Sequence, residues 1–527
     1  MKGICHNSDR KWIFYAGVLI ALLPVVILRD YTPDNELRYL SITDEALRNH
    51  DFFAFHNHGE AYADKPPLYF WLLMACRLIA GSHCVWLLSL CSLIPAFGVV
   101  AIMDKWTANA LRSEGREREE AEACEGGLGR VMLMTSAYFL GAAVILRMDM
   151  LMCFFIVLSL HTFWKMYQGN GSKSDRWLFP IWLFMGLFTK GPLGILIPVM
   201  SILAFLVLKG DIKTAGRYLG WRTWGVLLAL CAAWFAGVYL DGGKEYLDNL
   251  LFHQTIDRAV DSFHHKRPFF YYLTAVWYII APWSLYVAGA VAASLRKPSE
   301  IPAVGQFYIT IAITTLVILS CISSKLQIYF LPAVPFMVYS AAIPMPKYQK
   351  SILTKIALAM PYAVLTLAFP VAVAAGKFGI RLETLVYIAA GILTAGSLTG
   401  IIILFRNKVM ESVYAVACSL LAFIFTAGWC LPHYNEYLGY GALCKEAKET
   451  AAREGVDKIY VWKIKRPENM DVYFGKDVEI IPQDSMPASY IKTDGLLLTP
   501  RKEIEATGRA ADSEAGLYGI VIFKKNP

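Results

Sequence analysis

Apolar runs of roughly 17–25 residues recur along the chain, each long enough to cross a bilayer as a helix. "WIFYAGVLIALLPVVIL", from Trp12 to Leu28, is the first of them. Hydrocarbon offers no water to an open backbone, so repeated runs of this kind leave helices as the one simple solution. About thirteen spans can be read in this way, which predicts a polytopic α-helical membrane protein. Composition agrees: of 527 residues, 56% are hydrophobic and 17% charged, and the mean hydropathy is +0.44. A soluble chain carries about a quarter of its residues as charges.

Basic residues in short loops set the expected orientation. Lys2, Arg10 and Lys11 precede the first run, and no small-x-small cleavage site follows it, so the first helix is expected to stay in place with a cytoplasmic N-terminus. Later basic loops, with Arg112, Lys173, Arg217, Arg296 and Arg406 among them, fall on the same inner side. Residues 29–67 and 241–272 then form outer loops. "LYFWLLMACRLIA", residues 68–80, is short for a span and reads as an interfacial or re-entrant helix. The chain divides into a transmembrane domain, 1–430, and a small extracytoplasmic α/β domain, 431–527. In the latter, "DKIYVWKI", "VEIIP", "GLLLTP" and "YGIVIFKK" read as strands and "YGALCKEAKETAAREG" as a helix. Most of the eleven cysteines lie in apolar runs, with no C-x-x-C pair; Cys430 and Cys444 are the one disulfide candidate. "GNGS" at 169–172 is not followed by the Gly-Lys-Ser/Thr of a phosphate loop, and no feature points to nucleic acid.

Charged groups collect on the outer side of this topology. Asp34, Glu36, Arg38, Asp64 and Lys65 lie in the first loop, Arg147 and Asp149 at the second turn, and Lys190 at the third. His265, Lys266 and Arg267 follow in the fourth loop, and Lys325 with Tyr329 in the fifth. An ionised side chain costs about 2.5–3.5 kcal/mol at a helix centre on insertion scales, so the ends of spans are the tolerable places. Arg147, Lys190 and Lys325 run against the positive-inside trend, as a site for an anion such as phosphate requires.

The ordered motifs "PDNELRY", "YADKPPLYFW", "RMDML", "TKGP", "HHKRPFFYYL" and "SKLQIYFLP" resemble those of GT-C glycosyltransferases that use polyprenyl-phosphate sugars. Within the protein O-mannosyltransferase family they look most like the lipid A aminoarabinose transferases, over roughly residues 10–345. The resemblance implies a catalytic carboxylate in the first loop. Asp34 keeps the position after the proline, and Glu36 keeps the spacing to Arg38, so both are candidates, with Asp34 favoured as the base of an inverting displacement. It also implies that Lys65 binds the donor phosphate beside Tyr62 and Tyr329. Arg38, Arg147, Lys190 and Lys325 are further phosphate candidates, and Asp149, Lys266 and Arg267 further cavity residues. Asp64 and His265 resemble a zinc pair, although two ligands fall short of the usual three or four, so no metal is required. The expected partners are a polyprenyl-phosphate-linked sugar and an acceptor (lipid A, a glycan or a protein) at the outer face of the inner membrane, with the C-terminal domain periplasmic. A secondary transporter, or a scaffold in envelope polysaccharide assembly, would also gather charge in a helical bundle. The outer-end placement of the charges and the absence of an internal repeat argue against transport.

Overall fold

The computed structural model describes residues 5–115, 127–251, 267–506, 508 and 510–524. Among these, seven helices are long and apolar enough to cross a membrane, from Val85–Ser113 to Val409–Gly428. Four shorter apolar helices, including Trp12–Leu28 and Leu68–Ala80, accompany them. The chain is therefore mostly helical with a small sheet near its C-terminus, the class expected.

Some runs read as single spans are interrupted. The run expected over 131–146 is two short helices, Leu128–Met134 and Ala137–Val144. At the break, the Thr135 and Ser136 hydroxyls donate to the carbonyls of Val131 (2.6 Å) and Met132 (2.8 Å). The Trp283 indole N–H donates to the Thr135 hydroxyl at 3.0 Å, and Ala137 N–H to the Ala281 carbonyl at 3.0 Å. An irregular backbone is tolerable at such depth only where protein supplies these partners.

Chain contacts divide the molecule into two compact units. The larger comprises residues 1–23, 63–69 and 89–427. In it, helix Met148–Tyr167 packs on Asp175–Lys190 and on Leu193–Lys209, which in turn packs on Ala303–Cys321. Trp106 lies at the centre of an aromatic cluster with Trp164, Phe307, Tyr308 and Phe336.

The smaller unit comprises residues 24–62, 70–88 and 428–527. The tail from 428 onward thus shares its unit with most of the first outer loop. A short hairpin pairs β1 (His56–Asn57) with β2 (Glu60–Ala61). The tail forms a five-stranded sheet of β3 (Lys458–Trp462), β4 (Glu479–Ile481), β5 (Gly495–Pro500), β6 (Ser513–Ala515) and β7 (Tyr518–Phe523), in the order β4-β3-β5-β7-β6. β3 runs parallel to β4 and β5, and β7 antiparallel to β5 and β6. All four expected strands and the helix Gly441–Glu454 are present. The additional β6 is only three residues long, too short to show a period in the sequence. Tyr460, Ile481, Leu497, Ile504 and Val521 form the core beneath the sheet. Cys430 and Cys444 are both buried and are not joined in the disulfide considered for them.

Candidate functional site

In the larger unit the charged residues meet at helix ends. Arg147 is the extended residue before helix Met148–Tyr167, and Asp149 lies in its first turn, where the helix dipole favours a carboxylate. The Ser92 hydroxyl holds the approach to this turn by donating to the Ile145 carbonyl at 2.9 Å. Lys190 is the last residue of helix Asp175–Lys190. Gly191 follows at φ +107°, a conformation few side chains tolerate, and turns the chain into Leu193–Lys209. The two helices then approach so closely that a Cβ at Gly194 would lie 2.1 Å from the Gly186 carbonyl carbon.

These turns bring both cations to one carboxylate. Asp149, only 1% exposed, accepts from Arg147 Nε at 3.1 Å and from the Lys190 ammonium. Lys190 also lies over the Tyr329 ring, 4.4 Å from its centroid. Lys65 is near enough to Lys190 for their positive charges to interact. Lys325, on the segment just before Tyr329, is 4% exposed and donates to the Ile322 carbonyl. Among the described residues it has no carboxylate partner. The Tyr272 hydroxyl pins that segment by donating to the Leu326 carbonyl at 3.1 Å. Two cations thus share the one buried carboxylate of this turn, and a further buried lysine, Lys325, lies on the segment that leads to Tyr329.

The smaller unit separates the two first-loop carboxylates. Glu36 is fully buried at the start of helix Glu36–Asn49, and the Arg29 guanidinium grips it with two contacts of 2.8 Å. The Thr32 N–H donates to the same carboxylate at 2.8 Å. Asp34, on the turn that this clamp closes, is half-exposed and accepts from Lys465 of the tail at 2.7 Å. Arg38 donates to the Asn35 side chain at 3.1 Å and lies 5.7 Å from the Tyr62 ring centroid. Asp30 joins loop to tail: its carboxylate accepts from the Tyr473 hydroxyl (2.6 Å) and the Gly441 N–H (2.7 Å). Burial and the Asp30 charge push the Tyr473 phenol well above its ordinary range.

Of the expected zinc pair, Asp64 is half-buried in the larger unit, while His265, like Lys266, lies outside the described residues. Arg267 is exposed, 5.9 Å from the Tyr271 ring centroid. A different group could hold a metal ion: ligand atoms of His58, Asp471 and Asp477 lie within 4.8 Å of one another. Asp471 already accepts from Ser41 at 2.7 Å, and burial raises its pKa, both of which oppose a cation ligand's role.

Sequence reading did not single out Arg29, Asp30 or Lys465. Arg29 stands two helical turns before Glu36, a spacing that signals pairing only if the intervening turn is known. Asp30 and Lys465 join segments more than 400 residues apart, which no local pattern reveals.

No protein-family model matches the chain. The chain superposes on the ArnT protein of Cupriavidus metallidurans bound to undecaprenyl phosphate with a TM-score of 0.75 and 17% identity, over 97% of this chain and 98% of that one. The chain is a membrane protein of the GT-C fold. It is also 22% identical over 334 residues (62% of this chain, 55% of the relative) to the undecaprenyl phosphate-alpha-4-amino-4-deoxy-L-arabinose arabinosyl transferase 2 of Pseudomonas fluorescens. The corresponding transferase of Erwinia tasmaniensis is 26% identical over 327 residues, 61% of this chain and 56% of that one. The matched region thus spans little more than half the length of these curated relatives. In a GT-C chain of this kind, the resemblance read from the motifs holds.

Proposed function

We propose that the protein is an integral-membrane glycosyltransferase that moves a sugar from a polyprenyl-phosphate donor to an acceptor, with inversion at the anomeric carbon. The supporting observation is a surplus of cations over carboxylates: Arg147 and Lys190 share Asp149, and the buried Lys325, on the segment before Tyr329, has no carboxylate partner among the described residues. An apolar unit that keeps such an excess is suited to an anion, and a lipid phosphate is an anion delivered through the bilayer. The names of the relatives support the same donor class.

In this reading, Lys65, Arg147, Lys190 and Lys325 bind the phosphate, with Tyr329 beside Lys190. The acceptor oxygen attacks the anomeric carbon as the bond to the phosphate oxygen breaks, and polyprenyl phosphate leaves with the electron pair. Cations around that phosphate stabilise the charge it gains. Asp34 takes the acceptor proton, because its carboxylate is accessible, whereas Glu36 is committed to Arg29 and Thr32. Arg38 and Tyr62 flank the same loop. The acceptor is a lipid A, glycan or protein group on the outer face of the inner membrane, with the N-terminus cytoplasmic and the C-terminal domain periplasmic.

The test is transfer by the purified protein in liposomes from a polyprenyl-phosphate sugar, followed by mass spectrometry of lipid, glycan and protein acceptors. Asp34→Asn should lower turnover by about 10²–10⁴-fold while donor binding persists. Full activity in Asp34→Asn together with loss in a folded Glu36→Gln would move the base to Glu36. Solute uptake with no glycosyl product would replace the enzyme reading by transport.

A further inference from the structure

At the opposite ends of the helices that carry Arg147 and Lys190, the larger unit has a second basic feature. Met166 lies roughly 28 Å along its helix from Arg147, at 1.5 Å per residue. It lines a cavity of about 260 Å³ with Arg176, Phe179, Arg217, Trp221 and Arg222, and no carboxylate lines that cavity. Among the described residues, none of the three arginines has a carboxylate partner. The nearest acids in sequence are engaged elsewhere: Asp175 by Lys165 and Ser172, and Asp211 by the Tyr167 hydroxyl at 2.8 Å.

The local backbone gathers these groups. A Cβ at Gly220 would lie 2.2 Å from the Gly216 carbonyl oxygen, so glycine permits the tight turn between Arg217 and Arg222. The Arg222 guanidinium lies 5.6 Å from the Trp177 ring centroid and 5.9 Å from that of Trp221. Both indoles are largely exposed, Trp221 at 83%. Segments 165–177 and 209–222 together carry seven Lys or Arg residues against two Asp.

A topological preference for positive loops would scatter such residues over a surface. It does not bring three acid-free guanidinium groups to one cavity between helix ends, bordered by interfacial tryptophans. We propose that this cavity binds the phosphodiester headgroup of an anionic phospholipid. Guanidinium groups offer paired donors to phosphate oxygens, and the exposed indoles suit the headgroup level of a bilayer. Basic pockets between membrane helices are a known form of such recognition. Free phosphate shares the charge chemistry but has no acyl chains to lie beside Trp177 and Trp221. None of these residues has a role in sugar transfer, so the proposal stands apart from the reading above.

The experiment is native mass spectrometry of the full-length protein in detergent, with phosphatidylglycerol or phosphatidylcholine of identical acyl chains. Wild type should retain phosphatidylglycerol by about 10–100-fold over phosphatidylcholine, the range of one or two charge-assisted contacts. The combined substitution Arg176→Gln, Arg217→Gln and Arg222→Gln should abolish that preference. Arg296→Gln, Arg406→Gln and Lys408→Gln together, an equal loss of charge outside segments 165–177 and 209–222, should leave it intact. Equal retention of the two lipids by wild type would overturn the proposal, as would an unchanged preference in the triple arginine variant. Displacement of the lipid by millimolar inorganic phosphate would make this a free-phosphate site and overturn it too. If the triple variant does not fold, the single variants, each expected to show a partial loss, take its place.

Discussion

Two buried carboxylates, one in each unit, are compensated in opposite ways. Glu36 in the smaller unit is met by one guanidinium in two contacts, and the Thr32 N–H also donates to it. Asp149 in the larger unit is shared by an arginine and a lysine, with Lys65 close enough to be felt, and among the described residues Lys325 has no carboxylate partner. A matched buried pair is self-contained and holds a turn in place. An unmatched set has charge left over for something that arrives from outside. The contrast separates a structural ion pair from a binding arrangement although both use the same side-chain chemistry.

The sharpest way to break that contrast is to neutralise each acid. Removing one partner of a buried pair costs about 3–5 kcal/mol. Glu36→Gln and Asp149→Asn should therefore both lower the melting temperature in detergent. Added polyprenyl phosphate should restore Asp149→Asn in large part, because a new anion can take the vacated role, and should not restore Glu36→Gln. Equal rescue of both variants would end the distinction.

Lys325→Met comes next. A buried cation without a carboxylate gives little to stability, so melting should be unchanged or higher. Affinity for polyprenyl phosphate should fall by about 10–100-fold, the value of a charge-assisted hydrogen bond. A clear loss of stability with unchanged affinity would place Lys325 among the structural charges.

Lys465→Ala should have the smallest effect. Its pair with Asp34 is solvent-exposed, with side chains 73% and 48% accessible, so chemical denaturation should register less than about 1 kcal/mol. A larger loss would mean that the tail holds the Asp34 turn as firmly as the Arg29–Glu36 pair does.

The helical class, the tail strands and the charged helix ends were legible in the sequence because each leaves a local signature. Apolar length marks a span, and "GLLLTP" marks a buried strand. "RMDML" and "TKGP" place charge beside a turn. The roles of the two first-loop acids were not legible. Asp34 and Glu36 are separated by a single residue in the sequence, and only the fold shows one accessible and the other enclosed. The interruption at Thr135–Ser136 was hidden because the groups that support it, Trp283 and the Ala281 carbonyl, are distant in the sequence. That the tail shares a unit with residues 24–62 and 70–88 was hidden for a similar reason. Composition changes at residue 430, but the hydrogen bonds of Asp30 lead across the change.

That aspartate bears on how such proteins can be recombined. Its carboxylate is held by Gly441 and Tyr473, while its own N–H donates to the Asn435 side chain at 3.0 Å. A hybrid spliced at the composition boundary would pair one parent's Asp30 with another parent's ring and glycine. The transplantable cassette is discontinuous, and a working exchange would have to carry residues 24–62 and 70–88 together with everything from 428 onward.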